Sequence, residues 1–185
     1  LAAARARVVL ADGAATPALA EIDTAGTTVL SLEPAATGFR SLPEALAAAG
    51  AAEPDIPDVK VSDVFLYIYT SGTTGYPKPT VIRHARFSMG GHSLRTLLGL
   101  GPNDCSYAPT PLYHGYSNFV GFSPALHAGS AFASRRRFSA RHFLDDARRH
   151  GATCFMYVGE LCRYLLRQPP TPRDRDHSIR LATGP

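Results

Sequence analysis

Ten consecutive residues, Tyr69-Thr70-Ser71-Gly72-Thr73-Thr74-Gly75-Tyr76-Pro77-Lys78, hold the densest chemistry in the chain. Gly72 and Gly75 let the backbone turn through positive φ and leave amides uncovered. Hydroxyls on Thr70, Ser71, Thr73 and Thr74 add donors, and Lys78 adds a point charge. Such a concave set of donors suits an anion, and phosphate oxygens fit it best. The pattern differs from the common nucleotide loop G-x-x-x-x-G-K-[ST]. The interval from Gly72 to Lys78 is right, but Pro77 replaces the second glycine and Pro79 replaces the hydroxyl. A plain surface turn needs neither this run of hydroxyls and glycines nor a lysine behind a proline, so phosphate binding is the preferred reading.

Other chemistry-bearing residues are sparser. His114 closes the run Pro111-Leu112-Tyr113-His114. Glu160 and Arg163 lie three apart, which lets them pair on one helical face. A role for them near a substrate channel is the second reading. His84, His92, His127, His142, His150 and His177 share no metal-ligand spacing. Cys105, Cys154 and Cys162 fit no zinc or disulfide framework, and reduced thiols acting as small hydrophobes are the simplest reading. Phe119, Phe122, Phe132 and Phe155 read as core.

The elements that must hold these groups follow from apolar patterning and punctuation. Strands are predicted over Arg7–Leu10 and Thr27–Leu32. Ser41–Ala49 is predicted as a helix, with Ser41 as cap, Glu44 three residues on and Gly50 past its end. Residues 51–60, with Pro54 and Pro57, read as a linker. Val64–Tyr69 is continuously apolar, which predicts a strand covered on both faces. That strand would deliver the loop to its carboxyl end, where open α/β sheets bind ligands. Thr80–Arg83 reads as a return strand and Phe87–Leu98 as a helix. Asp104–Ala108 is a strand, Ser117–His127 a helix closed by Gly129, and Ser130–Ser134 a strand. A helix capped by Ser139 runs to about His150. A strand over Thr153–Val158, a helix from Gly159 to about Gln168 and a strand over Ser178–Ala182 complete the series. Pro169, Pro170 and Pro172 stop the last helix. This alternation predicts an α/β fold with a mainly parallel or mixed sheet flanked by helices.

Bulk properties narrow the function classes. The 185 residues are 45% hydrophobic and 18% charged, enough for a packed core and against disorder. The net charge of +4 is scattered or in short clusters such as Arg135, Arg136 and Arg137. A solvated face explains that cluster better than nucleic-acid binding, and no nucleic-acid partner is expected. An anionic substrate or peripheral contact with a membrane surface stays compatible with the charge. No signal peptide and no membrane helix is legible, so a cytoplasmic setting is expected. The chain begins at Leu1 on an alanine-rich segment and stops at Thr183-Gly184-Pro185, and both ends read as cut points of a fragment.

The motif Y-T-S-G-T-T-G-x-P-K resembles the signature loop of the adenylate-forming (AMP-binding) enzymes, which include acyl-CoA synthetases, luciferases and peptide-synthetase adenylation domains. The run Pro111 to His114 resembles that family's aromatic–histidine segment. Tyr157 to Leu166 resembles the fatty-acid transport protein group of very-long-chain acyl-CoA synthetases. So do Phe138-Ser139-Ala140, Phe143, Asp145-Asp146, Asp176-His177 and Arg180-Leu181-Ala182. The resemblance spans about residues 60–183.

It implies that residues 1–185 are part of a large N-terminal adenylation domain, with the C-terminal catalytic-lysine domain absent. It implies an ATP-dependent ligase with ATP, Mg²⁺ and coenzyme A, acting on a long- or very-long-chain fatty acid. The implied cofactor-binding residues are Tyr69, Thr70, Ser71, Gly72, Thr73, Thr74, Gly75, Pro77 and Lys78. Lys78 would meet the β- or γ-phosphate. Thr70 would support Mg²⁺, against the plainer reading of a strand-end hydroxyl bonded to backbone. His114 would orient the substrate carboxylate, and Tyr113, Glu160 and Arg163 would border the acyl pocket. The region ending Ala182-Thr183-Gly184 would approach the adenine-binding loop.

Two departures stand out: Pro79, where the family has Gly or Ala, and Pro185, where the group has Gly-Asn-Gly. The alternatives are an adenylating ligase for another carboxylic acid and a fatty-acid uptake carrier without ligase activity. The fragment alone is expected to be inactive.

Overall fold

The computed structural model describes residues 5–33, 38–70 and 77–185. The chain forms two compact units, residues 1–58 and 59–185.

In the first unit, β1 (Val8–Ala11), β2 (Thr28–Ser31) and β3 (Arg40–Ser41) form a parallel sheet in that order. Val8 pairs with Thr28, and Ser31 with Ser41. Helix α1 (Thr16–Ala20) begins with Pro17 at its first turn, a short element with no periodic signal in the sequence. Helix α2 (Leu42–Ala49) starts where the cap predicts. The Ser41 hydroxyl accepts the Glu44 amide at 3.3 Å, and Gly50 ends the helix at φ +72°. That positive φ is the conformation for which glycine is best suited.

The second unit holds a parallel sheet in the order β7-β6-β8-β9, built from β6 (Cys105–Ala108), β7 (Ala131–Ser134), β8 (Cys154–Met156) and β9 (Leu181–Thr183). Every residue of β6 is buried. Side chains alternate between faces, as strand geometry requires. Cys105 and Tyr107 pack with Phe143, Ala147 and Ala152 in one core. Cys154 and Met156 pack with Leu100 and Ala128 in another. Helices α4 (Ser123–Ala128), α5 (Phe143–Arg149) and α6 (Gly159–Leu166) make the successive crossovers.

Three expectations need correction. Val64–Tyr69 does lie in a strand, β4 (Val64–Thr70), but β4 pairs only with β5 (Lys78–Arg83), in antiparallel fashion. Tyr67 and Tyr69 are 44% and 47% exposed, so the strand is not covered on both faces. Only residues 71–77 separate the strands, and parallel pairing needs a crossover of about a dozen residues. The loop is thus flanked by two antiparallel strands, and the strand before it does not belong to a parallel sheet.

Ser139 caps no helix. Helix α5 starts after His142, which makes no side-chain cap bond, because residues 140–142 form a turn first. The helix expected over Ser117–His127 opens as a π-helical turn, Ser117–Phe122, before α4. Gly129 does close α4, at φ +63°.

Candidate functional site

The hairpin brings Thr70 and Lys78 directly opposite each other at the mouth of the loop. Opposed residues of an antiparallel pair project to the same face. Thr70, Ile68 and Leu66 therefore share a face with Lys78, Thr80 and Ile82. This face is anchored at its far end by Ile82, which is 2% exposed. It opens toward Thr70 and Lys78, both exposed. Neither side chain bonds to a described residue. The Thr70 hydroxyl is thus not occupied by described backbone, and the Lys78 ammonium has no described counter-ion. Pro79 sits opposite Tyr69 in β5, where a two-stranded sheet tolerates its missing amide. Pro77 is exposed just before β5. Ser71, Gly72, Thr73, Thr74 and Gly75 lie outside the described residues.

Two sets of contacts fix the hairpin. The Phe65 ring lies 4.6 Å from Phe87 and 4.9 Å from His84, both of helix α3 (His84–Leu98). Further along β4, Ile68 packs beside Gly115. A Cβ added at Gly115 would lie 3.6 Å from the Ile68 Cδ1. Ile68 belongs to the face that carries Thr70 and Lys78. That contact sets the open end of the hairpin beside the turn bearing His114.

That turn leaves the carboxyl end of β6. Pro109 is fully buried, while Leu112, Tyr113 and His114 are exposed, Tyr113 by 81%. Backbone bonds from the His114 amide to Pro111 O (2.9 Å) and from the Asn118 amide to His114 O (3.1 Å) hold the turn. The buried Ser117 hydroxyl bonds the Thr110 hydroxyl and also donates to Thr110 O at 3.0 Å. The Tyr116 amide donates to His114 Nδ1 at 3.2 Å. An imidazole accepting at Nδ1 carries its neutral-form proton on Nε2. His114 thus presents one N–H donor to the exterior.

The ends of β8 and β9 complete this edge of the sheet. The Tyr157 amide donates to Thr183 O at 2.9 Å, and Gly184 lies against the Tyr157 ring. A Cβ at Gly184 would come within 2.2 Å of a ring carbon, so no side chain fits there. Glu160 and Arg163, in the first turns of α6, pair with each other at 3.2 Å and are both largely exposed. The pairing reading holds for them. They are not drawn to the hairpin by any described contact.

Burial pushes the Cys154 and Cys105 thiols up from their ordinary value, with mutual repulsion adding to the effect at Cys105. Neither is poised as a nucleophile. Among the described residues, no group of three or more His, Cys, Asp or Glu side chains could hold a metal. Sequence reasoning passed over Ser117, Thr110 and the Gly184–Tyr157 contact. A hydroxyl meeting another seven residues away across a proline-rich turn leaves no periodic trace.

Comparison with known proteins identifies the family. The family model for AMP-binding enzymes matches residues 1–184. Long-chain fatty acid transport protein 2 of Rattus norvegicus is 44% identical over 119 residues, 64% of this chain and 19% of that protein. The medium/long-chain-fatty-acid–CoA ligase FadD6 of Mycobacterium tuberculosis is 41% identical over 131 residues, 68% of this chain and 21% of that protein. The crystal structure of ATP-bound MatB from Rhodopseudomonas palustris superposes with a TM-score of 0.78 at 29% identity, over 96% of this chain and 35% of that one. A benzoate CoA ligase from Burkholderia xenovorans gives 0.77 at 26% identity, over all of this chain and 36% of that one. The chain thus spans about a fifth of the length of the curated relatives it matches.

Proposed function

This chain belongs to the AMP-binding enzyme family, and from that premise we propose that its parent protein is an ATP-dependent acid–CoA ligase acting on long-chain fatty acids. We read residues 1–185 as part of the larger N-terminal adenylation domain, with the catalytic-lysine domain elsewhere in the polypeptide. The observation that carries the reading is the shared face of Thr70, Lys78 and Ile68, with Ile68 against the His114 turn. In this reading the Lys78 ammonium and the Thr70 hydroxyl, both without described partners, face the side where His114 is also exposed.

The chemistry has two halves. A carboxylate oxygen attacks the α-phosphorus of ATP and pyrophosphate leaves. The thiol of coenzyme A then attacks the acyl carbon and AMP leaves. The first half brings an anion toward a polyanion, so charge neutralisation and in-line positioning are the main tasks. Lys78 would draw the β- and γ-phosphate charge toward the hairpin mouth, in concert with the amides of the loop through Gly75. His114, donating from Nε2, would orient the incoming carboxylate. Gly184, bare against Tyr157, would leave a flat edge for the adenine. Mg²⁺, when bound, offsets phosphate charge, and Thr70 would help to hold it.

The acid is the finer part of the proposal. The names of the transport-protein and FadD6 relatives favour a long acyl chain, and the benzoate ligase neighbour favours an aromatic acid as the second reading. A carrier without ligase activity is disfavoured by an uncommitted Lys78. No helix among the described residues is long and apolar enough to cross a membrane. A cytoplasmic protein with peripheral membrane contact remains part of the proposal.

The decisive measurement is acid-dependent exchange of labelled pyrophosphate into ATP by the whole protein. Lys78→Ala is expected to lower exchange by about 100-fold, the scale of one lost charge-stabilising donor. Exchange at the wild-type rate in that variant would remove the basis of the reading. A panel of dodecanoate, hexadecanoate and benzoate separates the two acids.

A further inference from the structure

The second unit contains a cavity of about 630 Å³ away from the hairpin. It lies between α5 and the end of α6 and is bordered by residues 169–174. Its size falls within the roughly 300–1,000 Å³ of small-molecule sites. The apolar wall comes from Phe143, Leu144 and Leu165, with Pro169 and Pro172 from the bordering segment. Phe143 is 3% exposed and belongs to the core, so this wall is rigid.

The polar groups around the cavity are nearly all committed. Arg148 pairs with Asp145 at 2.7 Å and donates to the carbonyls of Arg173 and Asp176. Asp174 accepts from the Thr171 hydroxyl at 2.6 Å and from its amide at 3.0 Å. Arg173 pairs with Asp176 at 3.1 Å. Arg141 lines the same cavity and makes no hydrogen bond or ion pair with a described residue. Arg148 is matched by Asp145 and Arg173 by Asp176, and Asp174 is held by Thr171, so Arg141 is the guanidinium at this apolar cavity without a described partner.

We propose that this cavity is a second ligand site, for an amphiphile with an apolar body and a single anionic head bound by Arg141. A guanidinium offers a carboxylate or sulfonate a two-pronged contact, while the aliphatic and aromatic wall removes the body from water. A neutral amphiphile leaves the guanidinium without its partner, and a dianion exceeds the one free charge. The site is independent of nucleotide chemistry, since neither Thr70, Lys78 nor His114 lines it.

The test uses the whole protein with a photoreactive diazirine-bearing dodecanoate, and maps the labelled peptides by mass spectrometry. Labelling is expected within residues 140–148 and 165–174. Arg141→Glu should lower that labelling by about tenfold, the scale of one charge-assisted contact, and Arg141→Lys should retain most of it. The corresponding dodecanol probe should label the same segments far less. Acid-dependent pyrophosphate exchange should be unchanged in Arg141→Glu. Label confined to the hairpin and the 109–116 turn overturns the proposal. So does equal labelling of wild type and Arg141→Glu, or of the acid and the alcohol. Exchange that is absent from the wild-type protein, or unaffected by Lys78→Ala, with labelling intact would count against the proposed ligase function and leave this site standing.

Discussion

The second unit holds two sheets that solve opposite problems. The four-stranded sheet hides its central strand completely, with Ala108 at 0% exposure and Tyr107 at 1%. The β4–β5 hairpin keeps half the surface of Tyr67, Tyr69 and Val81 in contact with the exterior. Its polar ends, Thr70 and Lys78, are left without described partners. One sheet uses its side chains to hold the fold. The other borrows its position from α3 and from Gly115, and keeps its functional groups uncommitted. Stability and ligand chemistry should therefore separate cleanly between them.

The sharpest break of that contrast is a pair of core and hairpin truncations. Met156 is 1% exposed in the sheet core. Met156→Ala should cost about 2–5 kcal/mol of stability through lost burial and a residual cavity. Tyr67→Ser, at a half-exposed hairpin position, should cost no more than about 1–2 kcal/mol. Urea denaturation of both variants checks this, and equal losses would show that the hairpin is as much core as the parallel sheet.

Lys78→Ala reverses the contrast. Its predicted 100-fold loss of exchange corresponds to about 2.7 kcal/mol of transition-state stabilisation. Its effect on folding should stay within about 0.5 kcal/mol, as expected for an exposed side chain without described partners. A large drop in melting temperature would place Lys78 in the framework instead.

Asp104 provides a middle-sized test at the opposite, amino edge of the parallel sheet. It accepts from the Thr153 hydroxyl at 2.6 Å, the Gly101 amide at 2.9 Å and Arg180 at 2.9 Å. Burial raises the carboxyl's pKa, but the Thr153 hydroxyl, Arg180 and the Gly101 amide together hold it below its ordinary 3.8. A lowered native pKa contributes stability that is complete above the unfolded value. That stability is lost as pH falls through the native one. Asp104→Asn should therefore cost about 1–2 kcal/mol near neutrality, and Arg180, being half-exposed, accounts for little of it. The deficit relative to wild type should shrink as pH falls below the ordinary 3.8. A constant deficit from neutrality to acid would mean that the charge on Asp104 is irrelevant and only its shape matters.

Most of the parallel sheet was legible because its crossovers are short and punctuated. Gly129 and Gly151 end helices at positive φ, and the apolar runs between turns are the strands. The hairpin was half legible. Its return strand was expected over Thr80–Arg83, yet the aromatic run Val64–Tyr69 looked fully buried. Hydrophobicity records what a side chain can cover, not whether a neighbour arrives to be covered. The Ser139 cap failed for a related reason, since a hydroxyl before an apolar run can equally begin a turn. The loop chemistry could be read from residue types alone. The neighbourhood of His114 could not, because it depends on Ile68 meeting Gly115 across 47 positions. The cavity beside Arg141 was invisible for the same reason, being assembled from α5, α6 and a proline-rich segment.

The smallest effect is expected at Glu160 and Arg163, which lie near the carboxyl edge yet behave as framework. Their side chains are 51% and 66% exposed and three residues apart on α6. Such a pair contributes about 0.2–0.5 kcal/mol and is screened by salt. A double-mutant cycle of Glu160→Gln and Arg163→Gln should return a coupling in that range, fading as salt is added. Neither variant should change the rate of acyl-CoA formation by more than about twofold, under 0.5 kcal/mol in barrier. A larger loss with long acids than with short ones would give these residues the substrate-pocket role. It would also extend the functional region from the hairpin onto the helix that follows β8. The division between a committed sheet and an uncommitted hairpin would then have to be drawn one element further along the chain.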